Sequence, residues 1–256
     1  MSSYTPKTSI DVVQEDILAL FESLGWPWAT AAFDMRKMDA FATRESARLG
    51  LDEDEACRRL KDVVWALGSV QFSLGYMLIA KGSAKQPRGH VQRASDIQNL
   101  SVEYSIGDSH FWHHTNLAME SLYRVWERLA NFLVCFCSLQ DGDEKLYFDG
   151  VIQRLEQDDI LSALTSFKNV KRHRKHYNRV ACSRNRLSHQ SSRLFGGQTV
   201  TVTPSDILRA DGMPYAEITA TMPDLFPIIE GVKDKYLESR DAFVHVVEYV
   251  KELPNH

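Results

Sequence analysis

Arg184 and His189 are the residues of this chain best suited to chemistry on a phosphate, and they close the segment Ser183-Arg184-Asn185-Arg186-Leu187-Ser188-His189. An arginine is a permanent cation that stabilises charge developing on phosphorus, and a histidine gives or takes a proton near neutrality. RNA brings its own nucleophile, the 2′-hydroxyl, so a positioned His and Arg suffice to cleave it without a metal. Asn185 stands four residues before His189, one helical turn away, where its amide can hold the tautomer and orientation of the imidazole.

The electrostatic setting suits a polyanion. Residues 160–205 contain no Asp or Glu but carry Lys168, Lys171, Arg172, Arg174, Lys175, Arg179, Arg184, Arg186 and Arg193. The chain's formal net charge is −4, so the remainder, with 21 basic and 34 acidic residues, stands at −13. Clustered cations of this kind meet phosphates by releasing counterions, and Lys171, Arg172, Arg174, Lys175, Arg179 and Arg186 are the candidate RNA contacts. His173 and His176 read as further solvent-facing RNA contacts, and Cys182 as a small packing residue.

The helix that must position these groups is expected over 168–191, with Val170, Tyr177, Val180, Arg184 and Leu187 on one packing stripe. Arg184 therefore lies on the packing side, where a guanidinium needs a negative partner. That partner is a carboxylate of this chain such as Glu120 or Glu127, a second copy of the protein, or a phosphate. Five residues correspond to about 140° around an ideal helix, so one regular helix does not aim Arg184 and His189 at the same atom. Either the helix ends or distorts before His189, or Arg184 of one subunit works with His189 of another across a two-fold axis.

Apolar residues recur at three and four almost throughout, which predicts a mostly helical chain. Helices are expected over 10–24, 34–49 and from Asp52-Glu53-Asp54-Glu55 to about Lys81, followed by a polar connection over 82–109. The strongest helix is expected over 110–139, with Leu122, Trp126, Leu129, Leu133 and Phe136 buried. Its other side carries His113, Asn116, Glu120, Arg124, Glu127 and Asn131, either a solvated face or a wall of a polar site, with Glu120, Glu127 and Asn131 as possible lining residues. Shorter helices are expected over 146–155 and 160–167, a small β-hairpin near 198–222, and a final helix over 226–253. The predicted organisation is an N-terminal helical extension over 1–107 packed on a helical bundle over 108–256.

Arg184-Asn185-(Arg186-Leu187-Ser188)-His189 resembles the Arg-x4-6-His motif of the HEPN superfamily, including the polar residue that commonly follows its arginine. The order of elements is similar too: a long helix, the segment Lys145-Leu146-Tyr147-Phe148-Asp149-Gly150-Val151-Ile152, then a later helix ending in the motif. The resemblance covers roughly residues 108 to 250. It implies an antiparallel helical bundle, a homodimer and a metal-independent endoribonuclease leaving a 2′,3′-cyclic phosphate. Arg184 and His189 would be the catalytic pair and Asn185 the auxiliary residue. Members often act as toxins or phage-defence effectors, which implies a possible cognate antitoxin or regulatory protein, and others are inactive RNA-binding or scaffolding modules.

Two other readings stand beside this one. His110, His113 and His114 with Asp108 form a possible metal set, since His110 and His114 are one helical turn apart. A non-catalytic helical dimer would use the basic helix only to bind RNA or an acidic protein. No glycine-rich phosphate loop is present, so no nucleotide cofactor is expected. Four cysteines without a CxxC pair, and an N-terminus without a signal-peptide pattern, predict reduced thiols and a cytoplasmic protein. The uncharged run 63–80 is interrupted by Gly68, Ser69, Gln71, Ser73 and Gly75, and is read as a buried core helix in preference to a membrane span.

Overall fold

Helix formation here follows the three-four spacing of apolar residues, with acidic caps fixing the starts of two of the long helices. The computed structural model describes residues 9–26, 35–84, 88–91, 106–139, 147–189, 199–208, 214–221 and 224–255, with side chains over 15–26, 35–84, 106–139, 147–185 and 224–255. The helices among them are α1 (Ser9–Ser23), α2 (Met35–Leu49), α3 (Glu53–Ser83), α4 (Ile106–Phe136), α5 (Phe148–Gln157), α6 (Asp159–Ser162), α7 (Phe167–Arg172), α8 (Arg174–His189) and α9 (Leu225–Glu252). Asp52 caps α3 by accepting from the Glu55 amide at 2.7 Å, and Asp224 caps α9 by accepting from the Phe226 amide at 3.0 Å.

The protein is predominantly helical. Its centre is the pairing of α3 with α4, each 31 residues and so about 46 Å long at 1.5 Å per residue. Leu60, Val63, Leu67, Val70, Leu74 and Met77 of α3 are fully buried, as are Leu122, Trp126, Leu129, Leu133 and Phe136 of α4. By length and composition α3 is apolar enough to cross a membrane, but this face of it packs inside the protein. Gly107 sets how closely α4 starts against the end of α3, because a Cβ there would lie 2.4 Å from the Ser83 carbonyl. One hydrophobic core runs from Ile17 to Leu253, so residues on both sides of position 107 share it.

Backbone pairing links β2 (Thr199–Leu208) antiparallel to β3 (Pro214–Thr221), and β3 to β1 (Arg88–Val91), in the order β1-β3-β2. The polar connection expected over 82–109 therefore contains the strand β1, and α4 begins earlier than expected, at Ile106. The single basic helix expected over 168–191 is two helices, broken at His173. There the amide of His173 bonds the Val170 carbonyl at 3.1 Å, a tightened last turn that ends α7.

The far end of α9 is held by α2. Arg48 donates to the carbonyls of Leu253 at 2.5 Å and Val250 at 2.8 Å and to Asn255 Oδ1 at 3.1 Å. It also pairs with the buried Glu45 at 2.6 Å. Burial opposes the charge of Glu45, yet the hydrogen bonds of Arg48 and Arg44 hold its carboxyl below the usual range. Arg48→Ala removes these bonds and leaves Glu45 with Arg44 alone, so we expect a loss of about 3 kcal/mol in urea unfolding. A change below about 1 kcal/mol would show that solvent replaces the clamp.

Candidate functional site

The site is built where α8 lies against α4. Tyr177 and Val180 of α8 are buried, and Arg184, two turns beyond Tyr177, reaches the polar side of α4. Its Nε donates to Glu120 Oε1 at 3.0 Å, and its guanidinium carbon sits 5.2 Å from the centre of the Tyr123 ring. Of the partners open to Arg184 in the sequence, the carboxylate of Glu120 is the one the structure supplies. Both side chains remain more than a third exposed, at 37% and 38%, so the pair is reachable from solvent. Tyr123 is in turn tied to the buried Tyr177 by a hydrogen bond, which fixes the ring on which Arg184 rests. Burial raises the pKa of both phenols, so both stay neutral.

Asn185 is exposed and its Oδ1 lies 3.5 Å from Arg184 Nη1. The backbone of α8 remains helical through His189, so the helix does not end before it and a regular helix keeps Arg184 and His189 about 140° apart. The side chains of Arg186 and His189 lie outside the described residues. Glu127 and Asn131 are half-buried further along α4.

The basic residues are largely met by acids from other helices. Lys171 pairs with Glu156 at 2.5 Å, Arg172 with Asp241 at 3.0 Å and Arg179 with Glu238 at 3.6 Å. Arg174 bonds Asp149 and lies 3.9 Å from Glu156. Lys175 is exposed. Ion pairs at this level of exposure are each worth about 0–1 kcal/mol, so they position these side chains without locking them.

Two histidines of this segment differ from the sequence reading. His173 is 2% exposed, packed within 6.5 Å of the Trp126 ring centre, and not a solvent-facing contact. His176 is half-buried, with Nδ1 at 2.7 Å from Glu238. The spacing 170, 173, 177, 180, 184 places His173 on the packing stripe, so the signal was present but carried by a residue type usually assigned to the surface. Cys182, expected to pack, is exposed on α8. Among the His110 set, His110 and His113 are exposed, Asp108 is fully buried, and His114 stacks on Tyr76 at 4.6 Å. The donors that do converge among the described residues are His173, Asp241 and His245.

Burial pushes the His173 pKa down to about 4, against the pull of Asp241. A lowered folded value means the unfolded chain, near 6.5, takes up the proton first as pH falls. In chelator, we expect stability to fall by up to about 3 kcal/mol between pH 6.5 and 4, with no further loss from this residue below that window. Urea unfolding of wild type and His173→Phe across this range isolates the effect, and parallel pH profiles would contradict it. In comparisons with known proteins, no family model, no curated protein and no solved structure matches this chain.

Proposed function

We propose that the chain is a HEPN-like endoribonuclease that cleaves single-stranded RNA without a metal, using Arg184 of one subunit and His189 of another in a homodimer. In this reading the helical bundle is of HEPN type and the strands near 198–222 are an insertion in it. The observation that carries the reading is a half-exposed arginine held in place by Glu120 and Tyr123 on a helix that remains regular through His189. Glu120 keeps the guanidinium aimed before substrate arrives, and an incoming phosphate displaces it as the stronger bidentate partner.

The chemistry is balanced with protein groups alone. The 2′-oxygen of the RNA attacks its neighbouring phosphorus, the bond to the 5′-oxygen breaks, and a 2′,3′-cyclic phosphate forms. One imidazole accepts the 2′-proton, and the second imidazole of a two-fold site returns a proton to the leaving 5′-oxygen. Arg184 bears the added charge on the phosphorane. Asn185 positions the His189 ring, Lys175 and Arg186 meet flanking phosphates, and Lys171, Arg172, Arg174 and Arg179 join them by exchanging carboxylate for phosphate. Glu127 and Asn131 line the same groove. The biological setting that goes with this activity is a cytoplasmic toxin or phage-defence effector, restrained by a cognate antitoxin or regulatory protein.

A second reading is favoured by the internal pairing of Lys171, Arg172, Arg174, Arg179 and Arg184, which lowers the charge left for RNA. In it the chain is a non-catalytic RNA-binding or scaffolding module. Cleavage of a mixed single-stranded RNA in EDTA, with end-group analysis, separates the two. We expect cyclic phosphate ends from wild type, a loss of roughly 10²-fold or more in Arg184→Ala and His189→Ala, and retained RNA binding in His189→Ala. Full activity in either variant would refute the proposed pair, whereas binding without cleavage by wild-type dimer would establish the module.

A further inference from the structure

Three metal-competent atoms meet where the end of α7 packs on α9, away from Arg184. His173 Nε2 lies 3.0 Å from His245 Nδ1 and 3.7 Å from Asp241 Oδ2, and His245 Nδ1 lies 3.6 Å from that same oxygen. A tetrahedral ion with bonds of about 2.0–2.1 Å requires its ligand atoms about 3.3–3.4 Å apart. The three separations fall on either side of that value, so small side-chain adjustments complete the triangle. We propose that His173, Asp241 and His245 bind a divalent first-row transition ion, zinc foremost, with the fourth position open to water.

The ligands are placed by two separate elements of the fold. His173 is anchored in the core beside Trp126 and points outward from the break between α7 and α8. Asp241 and His245 are four apart on α9 and so share a face, the spacing that lets one helix supply two ligands. The site is graded from buried to open: His173 is 2% exposed, His245 15% and Asp241 52%, which leaves room for water on the carboxylate side. A proton shared between the imidazoles would join only His173 and His245, leaving Asp241 beyond hydrogen-bond reach of both. An ion satisfies all three.

The surroundings define what kind of ion is held. Nε2 of His173 is the ring atom turned toward His245 and Asp241, so it is the nitrogen placed to ligate. Arg172 donates to Asp241 Oδ2 at 3.0 Å, orienting the carboxylate as outer partners of metal ligands do, while its charge weakens binding. His176, 5.6 Å from His173 between ring centres, is engaged by Glu238. Two imidazoles and one carboxylate select zinc, cobalt or nickel over magnesium or calcium, which prefer oxygen alone. The bound ion would fasten the basic segment to α9, a role that does not draw on Arg184, although it shares Asp241 with the proposed RNA contact Arg172.

The test uses full-length protein stripped with chelator, dialysed, and titrated with Co²⁺ and then Zn²⁺. We expect one ion per chain, an intense low-symmetry visible Co²⁺ spectrum that Zn²⁺ bleaches, and a rise in melting temperature with Zn²⁺. His245→Ala and the more exposed Asp241→Asn should each weaken Zn²⁺ at least tenfold while keeping the wild-type circular dichroism. His110→Ala should bind as wild type. Absence of stoichiometric binding by wild type would overturn the proposal, as would unchanged affinity in Asp241→Asn or loss of the Co²⁺ spectrum in His110→Ala.

Discussion

The constraint on which this structure depends is charge neutralisation of a segment that contains no acid of its own. Residues 160–205 carry nine fixed cations and no carboxylate, so every ion pair they make must come from another part of the chain. Glu120 of α4, Asp149 and Glu156 of α5, and Glu238 and Asp241 of α9 supply them. The polar side of α9 continues the same seam: Tyr249 donates to the Leu161 carbonyl at 3.2 Å, and Glu252 accepts from the amide and hydroxyl of Ser166 at 3.0 and 2.9 Å. Apolar burial sets where α7 and α8 dock, and this seam sets their register.

Arg184 shows how a residue serves packing and reactivity together. Its guanidinium lies over Tyr123 and donates to Glu120, so its position is fixed by the same contacts that join α8 to α4. A guanidinium held by one carboxylate at the surface keeps several donors for a second anion. The local geometry is thus compatible with a quiet ion pair and with a phosphate site, and the difference between them is supplied by whatever approaches that face.

The long helices were legible because their apolar spacing acts locally, joined in α3 by the acidic start Glu53-Asp54-Glu55. The bounds of α1, α2, α3 and α9 fall within a few residues of those read from the sequence. The break at His173 was not legible, since nothing in Lys171-Arg172-His173-Arg174 marks a helix end; the break coincides with a ring drawn into the core. The carboxylate partner of Arg184 was one of three open alternatives, because periodicity gives the face of a helix but not the neighbour across it. Asp241 and His245 carried an i,i+4 signal that had no meaning until α7 was placed beside α9.

The order of these elements along the chain bears on synthesis. When residues 171–179 leave the ribosome, Asp149 and Glu156 have already emerged, but Glu238 and Asp241 lie some sixty residues behind. For that interval the nascent segment presents Arg172 and Arg179 without their partners, close to the ribosome's own RNA. Docking of α9 both closes the core and brings these two arginines their carboxylates, so the positive charge that the segment shows to a polyanion is lower once the fold is complete.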